Sequence, residues 1–371
     1  MRVIKTIYSL IDQSLIKELP FLWLVCLVAL KQINVSKQMS LAQSMGYSHS
    51  LAWRKIIIPQ LYPLIRLPVM VVLVYALSTV DMAQILGPNN PPTLALVALR
   101  LYTDANVQML LPASAAAISL AMLMVMSILL WEMSVRGLML VNKVSIRSGE
   151  RASKWTLLGT ILTTALPISF LLGLLSLLVL AIWSITWRWS FPEAWPTSWS
   201  FDYWLQLLTE WPLALKHSLI TALMSSGLAL MLTVIWLEVQ DRFGGHIYRA
   251  TLWLIYLPLL VPQIAFLYGL KVSFLRLGLS GGIGTVIWAH LLFVFPYVML
   301  SLVDSWRALD QRYLSVAASL GSSSWTCLWR IKLRLLLRPL LIAWAIGMAV
   351  SISQYLPTLL IGAGRVESLT T

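Results

Sequence analysis

The sequence predicts an all-α polytopic membrane protein with about eight bilayer crossings, each of about 20 residues, arranged as two parallel repeats. Three observations carry that expectation. Hydrophobic residues make up 59% of the 371-residue chain and charged residues only 11%, against roughly 25% charged in soluble domains. Uncharged apolar stretches long enough to cover a hydrocarbon core of about 30 Å recur along the chain. A nine-residue stretch, Ser40-Leu41-Ala42-Gln43-Ser44-Met45-Gly46-Tyr47-Ser48, returns 275 positions later as Ser315-Val316-Ala317-Ala318-Ser319-Leu320-Gly321-Ser322-Ser323.

Residues 1–18 carry Arg2, Lys5, Asp12, Lys17 and Glu18, which leaves only residues 19–30 uncharged. That run is too short to span, and no small-residue cleavage site follows it, which argues against a signal peptide. Residues 31–66 form the first loop, with five basic and no acidic residues. Residues 67–86 are the next span, interrupted by Asp81 and closed by Gly87-Pro88. Residues 105–131 are another, and a basic stretch with Arg136, Lys143, Arg147, Arg151 and Lys154 follows. This composition divides the chain into a first repeat at 1–140, a linker at 141–154 and a second repeat at 155–371.

In the second repeat, residues 156–183 cross with Pro167 inside. A Trp-crowded segment follows, including Trp187, Trp195, Trp199 and Trp211. Such rings stack on sugars, but an aromatic belt at the membrane interface is the commoner cause. Residues 218–237 are a clean span; residues 250–270 contain Pro258 and Pro262 and predict an irregular helix. A Gly-rich loop at 271–284 leads into the span at 277–303. Residues 304–338 form the second basic loop, and 339–364 the last crossing. By comparison of the halves, the first repeat lacks spans ahead of its loop and the second lacks its final one.

The even number of spans between the duplicated loops puts both on one side. Of 27 basic residues, the loops on that side hold 18 and the opposite loops six, which makes it the cytoplasmic side. The net charge of +13 therefore reflects topology, and nucleic acid is not an expected partner because no basic face persists away from the spans. Cys26 and Cys327 have no Cys-x-x-Cys partner, and His49, His217, His246 and His290 form no His-Glu-x-x-His pattern, so no metal or cofactor site is expected. There is no Gly-x-x-x-x-Gly-Lys-[Ser/Thr] sequence to cradle ATP phosphates, and no enzymatic activity is expected.

Within the duplicated stretch, small residues let a short helix approach a surface closely, and Gly46 or Gly321 ends it at positive φ. The pattern describes a helix, a break and a second helix, and both copies run on into a basic segment: Arg54 and Lys55 before Pro59, Arg330 and Lys332 before Pro339. These residues resemble the cytoplasmic coupling loop of the permease subunits of binding-protein-dependent ABC importers, whose motif reads Glu-Ala-Ala, three residues, then Gly. Ser40 and Ser315 stand where Glu is usual, Leu41 and Val316 replace the first Ala, and Arg334 replaces a downstream proline. Two permease domains on one chain look like the fused type found among ferric-iron and thiamine importers.

The resemblance implies a type I importer transmembrane fold, a separate pair of ATP-binding subunits and a periplasmic substrate-binding protein. It also implies contact with the ATPase through Ala42, Ser44, Gly46, Arg54, Lys55, Ala317, Ala318, Ser319, Gly321 and Arg330. The four basic residues Arg54, Lys55, Arg330 and Lys332 serve equally well as anchors on anionic membrane lipids. Asp81, Gln354 and Tyr355 are candidates for the substrate pathway, although Asp81 also fits a wet outer interface. Two other classes stay open. An ion-gradient-driven carrier predicts several ionisable residues within the spans, where Asp81 stands nearly alone. An inactive, truncated remnant is the second.

Overall fold

The computed structural model describes residues 18–87, 91–147, 156–190, 193–242, 249–279 and 281–371. The N-terminal run before Glu18, the linker bases Arg151 and Lys154, and Gly244-Gly245, where the sequence predicts a short charged turn between the spans at 218–237 and 250–270, lie outside the described residues. Among the described residues, five helices are long and apolar enough to cross a membrane, or up to eight when each of three bent pairs counts as one crossing. The protein is all-α in its crossings, with one small hairpin.

The first unit, Met1–Trp204, opens with α1 (Glu18–Gln32) and α2 (Val35–Ser44), bent by 72°. A short α3 (His49–Ala52) passes through a five-residue π turn (Trp53–Ile57) into α4 (Ile58–Ser78). The predicted span at 67–86 therefore starts earlier, and it breaks at Thr79–Val80 before α5 (Asp81–Leu86). Pro63 and Pro68 lie inside α4, as membrane helices tolerate when neighbouring helices, hydroxyl side chains and local adjustment of the turn re-satisfy the freed backbone groups.

Beyond α6 (Leu94–Tyr102), α7 runs unbroken from Leu110 to Arg147. The run expected to end at Trp131 continues because nothing after it stops a helix: Arg136 and Lys143 are good helix formers and Gly137 is a mild penalty. Glu132 on α7 accepts hydrogen bonds from Tyr62 Oη and Arg66 Nε on α4, both at 2.8 Å. Next come α8 (Thr156–Ser184) and the hairpin β1 (Thr186–Arg188) with β2 (Ser198–Trp199). The tryptophan-rich segment thus folds as a ribbon, with Trp187 stacked on Tyr203 at 5.6 Å. Phe170, Leu171, Leu175 and Leu180 on α8 are all exposed, as a lipid-facing helix requires.

The second unit, Leu205–Thr371, takes in the end of α9 (Asp202–Glu210) and then α10 (Pro212–Arg242). α11 (Arg249–Leu260) and α12 (Gln263–Arg276) meet at a 116° bend beside Pro262. This is the irregularity that the two prolines predicted. The loop after it is shorter than expected, since residues 271–276 stay helical in α12 and α13 (Ile283–Arg307) follows directly on its N-cap Gly282. α14 (Gln311–Ser319) and α15 (Ser324–Cys327) lead through a second π turn (Leu328–Lys332) and α16 (Leu333–Leu335) to α17 (Leu337–Ile352) and α18 (Leu356–Gly362).

The core of this unit is α10, α13 and α17. Thr221, Ser225, Ala229 and Thr233 recur every fourth residue along the buried face of α10, and such small side chains let membrane helices close on one another. Gly347 on α17 sits at a close crossing: a Cβ there would lie 2.8 Å from Val298 Cγ2 and 3.1 Å from Ser226 Cβ. Gly347→Leu should accordingly cost at least about 1–3 kcal/mol by overpacking. The melting midpoint of the purified protein should fall well below that of Gly227→Leu, a site with open space around it.

Candidate functional site

The duplicated stretch folds the same way in both units. α2 and α14 each end in a C-cap residue, Met45 and Leu320, followed by a left-handed glycine, Gly46 at φ 85° and Gly321 at φ 80°. In the first unit Tyr47 N–H donates to Ala42 O at 3.0 Å and Gly46 N–H to Gln43 O at 2.9 Å. In the second, Ser322 N–H donates to Ala317 O and Gly321 N–H to Ala318 O, both at 3.0 Å. This paired closure satisfies carbonyls that the helix end leaves without partners. Ser44 and Ser319 hydroxyls each donate to the carbonyl three residues back, Leu41 O and Val316 O, at 2.8 Å.

The correspondence at a spacing of 275 continues past the glycine. Ser48 and Ser323 take extended backbone and start the next helix, and Ser323 Oγ accepts from Thr326 N. The π turns start at Trp53 and Leu328. In each, one backbone N–H reaches back five residues, Ile58 to Trp53 and Leu333 to Leu328. The helix, break and second helix read from the sequence are all present, but the π turns carry no composition signal and were not predicted.

Burial separates the two faces of the duplicated helix. Ala42 and Ala317 are buried, packed inward, while Ser44, Ala318 and Ser319 are exposed. Leu41 and Met45 are 57% and 64% exposed, and Val316 and Leu320 are 59% and 80% exposed. These four occupy equivalent positions, an i, i+4 pair on one face of each helix. Sequence reasoning missed them because an apolar residue in so apolar a chain attracts no notice. Their recurrence four apart beside each glycine was the available signal.

The basic residues are placed differently in the two units. Lys55 is 5% exposed, and its Nζ donates to Ser145 O near the end of α7 at 2.7 Å. Arg54 donates to Ser145 Oγ at 3.2 Å. Arg330, the counterpart of Lys55, is exposed. Lys332 is buried instead, at the position matching Ile57, with side-chain exposure of 3%. Its ammonium meets Glu238 Oε2 at 3.0 Å and also Asp241 Oδ2 on α10, and it lies 4.2 Å from the centre of the Trp306 ring. Trp306 Nε1 donates to the same Asp241 oxygen at 2.9 Å. Arg242 extends the cluster, bonded to Glu238 and stacked over Trp325 at 5.0 Å.

The pathway candidates lie at helix breaks. Asp81 opens α5, just past the break at Thr79–Val80, and is half-buried. Gln354 and Tyr355 form the break between α17 and α18, which falls at the matching place in the second unit. Gln354 is 6% exposed, and neither its amide nitrogen nor its oxygen has a hydrogen-bond partner. Close by, His290 on α13 is held from both sides, Nδ1 by Ser351 Oγ and Nε2 by Thr358 Oγ1, each at 2.9 Å. Ser225 on α10 donates to Ser351 at 3.0 Å. Among the described residues, no group of three or more His, Cys, Asp or Glu side chains could hold a metal ion.

Membrane-length helices, small-residue packing, and one helix-glycine-helix element repeated in each unit define a multi-pass membrane protein. The chain is similar to ABC transporter permeases. It is 31% identical over 360 residues to the inner membrane ABC transporter permease protein YnjC of Escherichia coli K12, a match that covers 96% of the chain and 63% of YnjC. Over 164 residues it is 32% identical to the molybdenum transport system permease protein ModB of Mycobacterium tuberculosis, covering 41% of the chain and 62% of ModB. Over 144 residues it is 27% identical to the spermidine/putrescine transport system permease protein PotC of E. coli K12, covering 38% of the chain and 53% of PotC. The chain thus spans less than two thirds of the length of these relatives. No family model matches it. The likeness to YnjC agrees with a location in the inner membrane.

Proposed function

We propose that the chain is a translocation-pathway subunit of an ABC importer, with its two glycine-ended helices facing the cytoplasm and docking on a separate pair of ATP-binding subunits. One observation carries this reading: α2 and α14 present the same exposed apolar pair, Leu41 with Met45 and Val316 with Leu320, beside the same glycine closure. Exposed side chains of this size on a rigid helix end are what a groove on a soluble partner would bury. Ser44, Ala318 and Ser319 supply a small polar rim to that contact, and exposed Arg330 supplies a charge for an acidic edge.

Ala42 and Ala317 act on the inner face, holding each helix against its own unit. Arg54 and Lys55 transmit through Ser145, so that movement of the docked helix pulls on α7. Closure of the ATPase pair on ATP would move both helices and shift the units between two access states. Asp81, Gln354 and Tyr355 mark helix breaks along the pathway, and the solute would arrive on a periplasmic binding protein. The relatives' names point to molybdenum for ModB and to spermidine and putrescine for PotC; no single substrate is common to them.

Met45→Asp combined with Leu320→Asp tests the docking. Both side chains are exposed, so the protein should keep its melting midpoint while co-purification of the cognate ATP-binding subunit falls by about tenfold or more, as expected for loss of about 1.4 kcal/mol of binding. Undiminished co-purification and uptake in the double variant would overturn the reading.

A further inference from the structure

We propose that the polar cavity of the second unit is a closed binding site for a small uncharged solute rich in hydroxyl groups, covered by residues 366–371. The cavity is lined by Thr221 on α10, His290 on α13, Ser351 on α17, Gln354 in the break and Thr358 on α18. Its volume is about 10 Å³, room for about one water, so it is shut in this state.

Gln354 points to a missing partner. Its amide is more than nine-tenths buried with nothing bound to either end, a strongly unfavourable arrangement unless a ligand or water completes it. The surrounding groups do not relieve it, because they are spent on one another: both His290 nitrogens are taken by Ser351 and Thr358. A neutral imidazole donates from one nitrogen and accepts at the other, and hydroxyls do both. A solute that replaced these mutual bonds would meet donors and acceptors in mixed order, which its own hydroxyls can answer.

Charge narrows the class further. None of the residues that line the cavity is an Asp, Glu, Lys or Arg. An ion brought into such a site would be buried without a counter-charge, which is far more costly than burying a hydrogen-bonded neutral group. Polyamines and oxyanions are both disfavoured on that ground.

The cover is lightly held. Ser368 and Thr370 close the cavity from outside, and Val366 anchors the segment as a buried side chain. Its remaining ties are single bonds: Leu369 N–H to Ser218 Oγ at 2.9 Å, Thr370 Oγ1 to Gln354 O at 3.4 Å, and His217 Nδ1 to Glu367 O at 3.1 Å. A segment with so few buried contacts opens at low cost, and the motion would uncover Gln354 from the end of α13 farthest from α14.

The proposal rests on the permease reading for passage of the solute, though not for its binding, so binding is measured without any ATPase. Radiolabelled sorbitol is equilibrated with the full chain in lipid nanodiscs, with sulfate and spermidine as charged competitors. Saturable binding is expected, unaffected by either ion and weakened about tenfold or more in Gln354→Leu, which removes the unpartnered amide. Gln354→Leu should melt at or above the wild-type midpoint, since it also removes an unsatisfied polar group. Thr358→Val keeps the shape of the site and should weaken binding as well. No saturable sorbitol binding, displacement by sulfate or spermidine, or full binding in both variants would overturn the site. Binding without ATP-driven uptake would instead sink the permease reading and leave the site standing.

Discussion

Lys332→Ala is expected to destabilise the second unit by about 3 kcal/mol, the low end of the range for removing one partner from a buried ion pair. The side chain of Lys332 is 3% exposed and that of Glu238 13%, whereas Asp241 at 34% keeps some water, which moderates the loss. Without the ammonium, Glu238 and Asp241 face each other across one turn of α10 with like charge. Trp306 loses the cation over its ring, although its Nε1 bond to Asp241 remains. The melting midpoint of the purified protein in detergent should drop by several degrees. Adding Glu238→Gln and Asp241→Asn to Lys332→Met should recover much of it, because an uncharged set of similar shape is often no worse than the ion pair. An unchanged midpoint for Lys332→Ala would show that the cluster contributes little.

Gly46→Val with Gly321→Val is expected to abolish uptake while leaving ATP hydrolysis by the associated subunits. Both glycines sit at positive φ, 85° and 80°, where an L-residue carries a penalty of about 1–2 kcal/mol, at its worst for a β-branched side chain. Valine would drive the backbone to negative φ and break the bonds from Tyr47 to Ala42 and from Ser322 to Ala317. The second helix of each element would then leave in a new direction, and the docked face would no longer move with the membrane helices. Asparagine tolerates the left-handed conformation better, so Gly46→Asn with Gly321→Asn should retain most uptake. Paired measurements of uptake and ATP hydrolysis in proteoliposomes separate the two. Equal uptake in the valine and asparagine pairs would remove the glycines from the coupling mechanism.

The helix, break and helix of each duplicated element were legible because their determinants are local: a positive-φ glycine, a serine two residues on, and small residues before it. The proline-marked bend between α11 and α12 was legible for the same reason. The partners of Lys332 were not, since Glu238 and Asp241 precede it by more than ninety residues, and only the packing of α10 against the π turn brings them together. The sequence also paired the basic residues of the two loops as equivalents. The structure buries Lys55 in one and Lys332 in the other, at positions that do not correspond. The extension of α7 to Arg147 was hidden by reading charge as the end of a helix, when charge marks only the end of its membrane-buried part.

The π turns at Trp53–Ile57 and Leu328–Lys332 have a geometric effect on everything that follows them. One residue more than an α turn is taken up at each, and each α-helical residue advances the azimuth by about 100°. The stripe that α3 or α15 shows to its surroundings is therefore out of phase with the stripe that α4 or α16, the helix directly after each turn, shows. A single screw axis could not satisfy both orientations with one repeating pattern. The wide turn works as an indexing joint, letting selection adjust the short helix after each glycine and the packing of the helix beyond it separately.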